Sequence, residues 1–203
     1  MMNIVLASSS TYRKQLLTPL IPSLTCVTPD IDESVKVKES AENYVSRLAL
    51  EKAKAVALII KQHQNNALVI GSDQCAVLKG KIISKPGSHV NAITQLKASS
   101  GKTITFYTGL CVINSKTNSQ HVSCETFQVT FRTLSEKQII AYLDKDQPYD
   151  CAGSFKVEGF GITLFEKMQG DDYNTLIGLP LIKLTSMLQA EGFDPITSKL
   201  ASV

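Results

Sequence analysis

"NIVLASSSTYRKQLLTPL", residues 3–20, is the stretch that decides the fold. Residues 3–7 read as a short buried strand, and a helix is expected over about 10–18, stopped by Pro19. Between them lie Ser8, Ser9, Ser10 and Thr11, followed by Tyr12, Arg13 and Lys14. A helix start needs one Ser or Thr as its cap, so this clustering exceeds the structural requirement. Hydroxyls, free backbone N–H groups and an Arg at a helix N-terminus are also what a phosphate group binds.

The alternation of strand and helix continues outward from this unit. "SLTCVTP" (23–29) reads as a strand, "DIDES" (30–34) as an acidic loop, and Ser40 as the cap of a helix running to about Ile60. "ALVIGSD" (67–73) reads as an apolar strand ending at Gly, Ser and Asp, and "CAVLKGKIIS" (75–84) as a tight hairpin around Gly80. A helix follows over about 88–99. "KTITFYTGLCVI" (102–113) and "HVSCETFQVTFRTL" (121–134) are long strands joined by a polar turn, and Ser135 with Glu136 opens a helix to about Leu143. Gly153 to Gly178 should be loop-rich, the last helix should span about 175–191 with Pro180 in its first turn, and the tail after Phe193 should fray. Interleaved strands and helices make the class α/β with a mixed sheet.

Composition narrows the function. At 203 residues and 43% hydrophobic content the chain has an ordinary globular make-up and can bury a sizeable core. A net charge of +3 is too small for wrapping nucleic acid, though it suits an anionic small ligand. Cys26, Cys75, Cys111, Cys124 and Cys151 contain no C-x-x-C pair and read as reduced core thiols of a cytoplasmic protein. Scattered histidines argue against a His-based metal centre. The opening "MMNIVLASSSTYRK" lacks the basic region of a signal peptide, and no stretch approaches a membrane span.

Some residues stand where apolar ones are expected. Lys52 falls inside the stripe of Val45, Leu48, Ala49, Val56 and Ile59 on the long helix. Either its stem covers the core edge while the ammonium reaches water, or the ammonium is aimed inward at an anion. In the second reading Lys52→Met should keep stability and lose activity. Asp73, closing an apolar strand, can be a turn residue, or a carboxylate that holds Mg²⁺ or takes a proton from water. Asp30, Asp32 and Glu33 follow another strand, and Lys85 precedes Pro86 at a turn. No Walker P-loop, G-x-G-x-x-G or nucleophile elbow is present. What accumulates is a set of phosphate-binding parts: a hydroxyl-rich turn with Arg13, two lysines, and carboxylates for a cation.

With these residues in view, the chain resembles the Maf-like nucleotide pyrophosphatases. "LASSSTYRKQLL", "DIDES", "RLALEKA", "IGSDQ", "SKP", "GKTITFYTGL" and "CAGSFKVEGFGITLFEKMQGDDYNTLIGLPL" occur in the family's order and spacing, over roughly residues 3 to 193. The likeness is greatest to the 7-methyl-GTP pyrophosphatase branch. It implies a single domain over residues 1–203 with an elongated mixed sheet in two lobes and a central cleft, as in inosine-triphosphate pyrophosphatases, and a homodimer. It implies cleavage of a nucleoside triphosphate between the α- and β-phosphates with a divalent metal, Mg²⁺ or Mn²⁺. By motif, Ser8 and Arg13 fall in the substrate-binding turn. Asp73 is the proton acceptor, Lys52 and Lys85 the catalytic cations, and Glu33 with Asp73 the metal ligands. Tyr12, Gln74 and Glu158 occupy the specificity positions. Thr11 and Lys14 depart from the Pro and second Arg common in the family. Two other functions stay open at this stage: a dTTP/UTP-preferring pyrophosphatase, and a nucleotide-binding regulator of cell division. An RNA-binding module ranks below both, for want of a basic stripe with interleaved aromatics.

Overall fold

The structure is a computed structural model that describes residues 3–63 and 66–198. It is an α/β fold built on one mixed sheet. The strands are β1 (Asn3–Ala7), β2 (Thr25–Val27), β3 (Ala67–Leu78), β4 (Lys81–Ile83), β5 (Thr103–Asn114), β6 (Gln120–Phe131) and β7 (Phe165–Gln169). The helices are α1 (Thr11–Leu17), α2 (Ala41–Gln62), α3 (His89–Ser99), α4 (Glu136–Asp146), α5 (Tyr173–Ile177) and α6 (Leu181–Ala190), with a 3₁₀ turn at Phe160–Leu164. Strand order is β2-β1-β3-β5-β6-β7, with β4 paired to β3. β1 runs parallel to both β2 and β3, whereas β3/β4 and β6/β7 are antiparallel.

The chain divides into two compact units. Of the described residues, the first comprises 3–63, 66–73, 108–125 and 177–198, and the second comprises 74–107 and 126–176. In the first, side chains alternate across the sheet with the two-residue period of extended backbone. Ile4, Leu6, Leu68, Ile70, Leu110 and Val112 pack with Leu17 of α1 and Leu184, Met187 and Leu188 of α6. Val5, Ala7, Val69, Cys111 and Ile113 pack on the opposite face with Ala49, Ala53, Val56 and Ala57 of α2. Both faces are therefore covered by helices, which is why these strands read as continuous apolar runs. In the second unit Phe106, Phe131, Phe155 and Phe165 meet edge to face at centroid distances of 4.7–5.8 Å.

α2 lies unusually close to the sheet. A Cβ on Gly71 of β3 would sit 2.2 Å from the Ala49 carbonyl oxygen, and one on Gly109 of β5 would sit 2.1 Å from that of Val45. Both positions need a hydrogen in place of a side chain.

Several expectations are corrected. The strand from Ala67 does not end at Asp73 but runs on to Leu78, so Asp73 lies mid-strand. "GSD" reads as a turn because Gly and Asp favour turns, yet here Gly71 serves a close helix approach. The last helix is broken in two: Gly178 has φ +116, and Pro180, extended, takes the cap position of α6. β7 and α5 occupy part of the glycine-rich segment expected to be loop. Ile59 is 42% exposed and leaves the buried stripe of α2. All five cysteines are free, but only Cys75 and Cys111 are buried and Cys26 is exposed. In the expected frayed tail, the Ser198 N–H bonds the Asp194 carbonyl, while residues 199–203 lie outside the described residues.

Gly71→Ala should lower unfolding stability by about 1–3 kcal/mol or more, because a backbone carbonyl cannot swing aside as a side-chain tip can. Gly80→Ala is the control: at φ +76, with nothing within 4 Å of its Cβ, it carries only local backbone strain. Urea unfolding of both variants checks this; equal losses would mean that contact with α2 is not what excludes a side chain at position 71.

Candidate active site

Register places the first group of residues. β1 pairs with β3 so that Ala7 faces Gly71, which brings Ser8 to the level of Ser72 and Asp73. The chain then turns into α1, capped by Ser10, whose side chain accepts the Arg13 N–H. The Ser8 hydroxyl accepts from the Ser10 N–H at 3.1 Å and from Arg13 Nη1 at 3.4 Å. Arg13 Nε donates to the Gly178 carbonyl at 2.8 Å, and the Ser72 hydroxyl donates to the same oxygen at 2.9 Å. Three chain segments are thus tied at one carbonyl, which a left-handed Gly178 presents. Ser72 and Gly178 lie inside the quoted "IGSDQ" and "NTLIGLPL", but neither is assigned to the site from sequence; a glycine two residues before Pro180 is a further signal.

Lys52 supplies the centre. It is buried on α2, and its Nζ donates to Asp73 Oδ1 at 2.7 Å and to Glu33 Oε1 at 2.8 Å. The Lys52 side chain is only 7% exposed; of its two readings, the inward one describes the geometry, with protein carboxylates as the anions. Asp73 is itself buried, whereas the Glu33 side chain is 57% exposed on the loop between β2 and α2. Burial lowers the pKa of the Arg13 guanidinium, and the nearby Asp73 and Glu33 carboxylates oppose that shift. Two cations and two carboxylates leave this group close to neutral, so a triphosphate would bring charge that these residues alone do not offset.

The carboxylates meet the requirements of a divalent cation in part. Oδ1 of Asp73 and Oε1 of Glu33 converge on one point, the position now held by the Lys52 ammonium. Among the described residues there is no group of three or more His, Cys, Asp or Glu that could enclose a metal. Hard oxygens from two carboxylates, with the remaining positions left to water and phosphate, are the usual manner of Mg²⁺ in phosphoryl-transfer sites. The donor set fits such an ion and does not fit a dedicated protein cage.

Ser8, Arg13, Glu33, Lys52 and Asp73 all belong to the first unit and come together there; Tyr12, half-buried, stands beside Arg13 on α1. Gln74, Lys85 and Glu158 belong to the second. There the Gln74 amide donates to the Thr175 and Leu176 carbonyls at 2.7 and 3.2 Å. Lys85 is exposed between β4 and α3. Its neighbours are pinned by Gln95 on the Ser84 carbonyl and Asn91 on the Pro86 carbonyl. Glu158 is exposed in a loop that the Tyr142 hydroxyl holds by accepting the Lys156 N–H at 2.9 Å. The Tyr173 hydroxyl has a raised pKa, chiefly through burial and then through the Glu158 charge.

This chain is similar to known proteins. A family profile described as Maf-like protein matches residues 3–191. The 7-methyl-GTP pyrophosphatase of Pseudomonas savastanoi pv. phaseolicola is 51% identical over 192 residues, covering 95% of this chain and 98% of its own length. The protein of the same name from Vibrio parahaemolyticus is 51% identical over 191 residues, covering 94% and 96%. Among solved structures, the Staphylococcus aureus Ham1 protein superposes with a TM-score of 0.52 at 15% identity, covering 93% of this chain and 99% of that one, a likeness of fold. With a profile match that runs from β1 to just past α6, and relatives half identical along nearly their whole length, the chain belongs to the Maf-like protein family.

Proposed function

We propose that this protein hydrolyses nucleoside triphosphates between the α- and β-phosphates, with 7-methyl-GTP its preferred substrate and 7-methyl-GMP and pyrophosphate its products. The observation that carries this reading is the buried Lys52 ammonium shared by Asp73 and Glu33, with Arg13 beside them, in a chain half identical to relatives of that name. The reading includes Mg²⁺ or Mn²⁺ as cofactor, a homodimer, a cytoplasmic setting, and one Maf-like domain over the whole chain with no nucleic-acid partner. Among the described residues no helix is long and apolar enough to cross a membrane.

Glu33 and Asp73 would hold the divalent cation, which supplies positive charge against the triphosphate oxygens. The side chains do the remaining work. Arg13, with Nε already fixed on the Gly178 carbonyl, directs its remaining donors at phosphate from a set orientation. The Lys52 ammonium, drawn from the carboxylates toward a phosphate oxygen, neutralises charge that grows as the bridging bond breaks. Lys85 is assigned the same task. Asp73, relieved of Lys52, accepts the proton of the attacking water. Ser8 binds substrate with its hydroxyl.

Base choice is assigned to Tyr12, Gln74 and Glu158. N7-methylation makes guanine cationic, so an aromatic face gains about 0.5–2 kcal/mol of cation–π attraction. A carboxylate accepts from guanine N1–H and N2–H together, and the positive ring strengthens both bonds.

Pyrophosphate release from a nucleotide panel with Mg²⁺ or Mn²⁺ tests the assignment. kcat/KM should be higher for 7-methyl-GTP than for GTP, dTTP or UTP, and Tyr12→Ala and Glu158→Gln should erode the preference. Equal or better turnover of dTTP would move the protein to the dTTP/UTP-preferring reading. Asp73→Asn should cost about 10² to 10⁴ in kcat, as loss of a general base does, with the fold intact. Near-normal turnover would make Asp73 structural.

The stability expected of Lys52→Met is reversed by the ion pairs. Removing the ammonium leaves Asp73 buried without its counter-charge, a loss of up to about 3–5 kcal/mol, while Lys52→Met with Asp73→Asn should recover part of it. Thermal melts of the single and double variants decide this; a single variant as stable as the double would show that the pair does not matter to the fold.

A further inference from the structure

The loop that carries Glu33, residues 28–40, has no helix or strand of its own. The Glu33 side chain is largely exposed, so its carboxylate is tied by Lys52 Nζ at 2.8 Å and not by packing. Its backbone is held separately. The Tyr44 hydroxyl donates to the Glu33 carbonyl at 3.0 Å, and Arg47 Nη2 donates to the next carbonyl, that of Ser34, at 3.0 Å. The same guanidinium forks onto Glu39, with Nε at 2.6 Å from Oε1 and Nη2 at 2.8 Å from Oε2, and reaches Glu51 with Nη1 at 3.1 Å. Glu39 in turn accepts the Lys36 N–H at 3.0 Å, which closes the loop on itself.

We propose that Arg47 is a positioning residue for Glu33: locked on Glu39, its guanidinium holds the loop by the Ser34 carbonyl and so sets the Glu33 carboxylate beside Asp73. The inference rests on the reading of Glu33 as a metal ligand. The planar fork suits the task, since it makes a bidentate pair and still has a donor for a backbone carbonyl, which a lysine cannot do. Arg47 and Glu39 are both largely shielded, with side-chain exposures of 15% and 8%, unlike a solvated surface pair. The Arg47 hydrogen bonds hold the Glu39 carboxyl down at about 2, so the clamp stays charged throughout the neutral range. Tyr44, whose ring lies 5.7 Å from the Arg47 guanidinium carbon, joins the two ties into one unit on the first two turns of α2.

A double-variant cycle tests it, with Mn²⁺ as the probe. Mn²⁺ affinity is read by electron paramagnetic resonance with a non-hydrolysable triphosphate analogue present, and turnover is followed alongside. Arg47→Met should weaken Mn²⁺ binding about 10- to 100-fold, the usual cost of losing a partner that orients a ligand. Arg47→Lys should recover only part of this. Combined with Glu33→Gln, the Arg47→Met change should add less than about twofold, because both act through one carboxylate. Should Arg47→Met not fold, Tyr44→Phe, which removes a single donor to the Glu33 carbonyl, should shift Mn²⁺ affinity in the same direction. A folded Arg47→Met with unchanged Mn²⁺ affinity, or losses that multiply in the double variant, would overturn the proposal. Unchanged Mn²⁺ affinity in Glu33→Gln alone would instead remove Glu33 from the site, and the clamp's purpose with it.

Discussion

The close approach of α2 to the sheet is the constraint on which the rest depends. Gly71 and Gly109 offer no side chain, and Ala49 and Ala53 offer small ones, so the helix settles nearly onto the backbone of β3 and β5. At that separation a lysine one residue before Ala53 reaches Asp73 on the strand beneath. With a methyl group at either glycine, helix and strand would stand apart and the ion pair would be stretched. Two residues without side chains thereby fix the placement of two charged ones.

The arrangement has a cost in stability. A buried Lys52–Asp73 pair costs desolvation that two apolar residues of similar volume would avoid. Here the ammonium holds the point on which two carboxylates converge. The surrounding hydrogen bonds also keep the pieces rigid. Ser72 and Arg13 share the Gly178 carbonyl, and Ser8 braces Arg13, so the guanidinium needs little reorganisation to meet an anion.

Much of this was readable from the sequence, and the failures have identifiable causes. Continuous apolar runs and Ser caps located β1, α2, β5 and α4, because burial on both faces and N-cap hydrogen bonds leave local signatures. Lys52 betrayed itself by lying in an apolar stripe. Asp73 drew notice for the wrong reason: "GSD" has the composition of a turn, and only the helix packed above Gly71 explains why the strand continues. The break at Gly178 is likewise tertiary, since its left-handed backbone serves Arg13 and Ser72, which are remote in sequence. Arg47 enters the sequence reading only as the first residue of "RLALEKA", because its partners Glu39 and Ser34 lie on a loop whose path no periodicity reveals.

The Gly178 carbonyl has a consequence for how the protein is made. Arg13 and the oxygen it bonds are 165 residues apart, and Ser72 is 106 residues from the same atom. At about 5–20 residues per second of synthesis, the ribosome adds Gly178 roughly 10–30 s after Arg13. Leu184, Met187 and Leu188, which cover Ile4 and Leu6, arrive later still. All of the second unit, residues 74–107 and 126–176, has by then been synthesised. The turn at the head of the chain is thus among the first parts translated and among the last to gain all its contacts, and until α6 emerges the face of β1 with Ile4 and Leu6 has only part of its native cover.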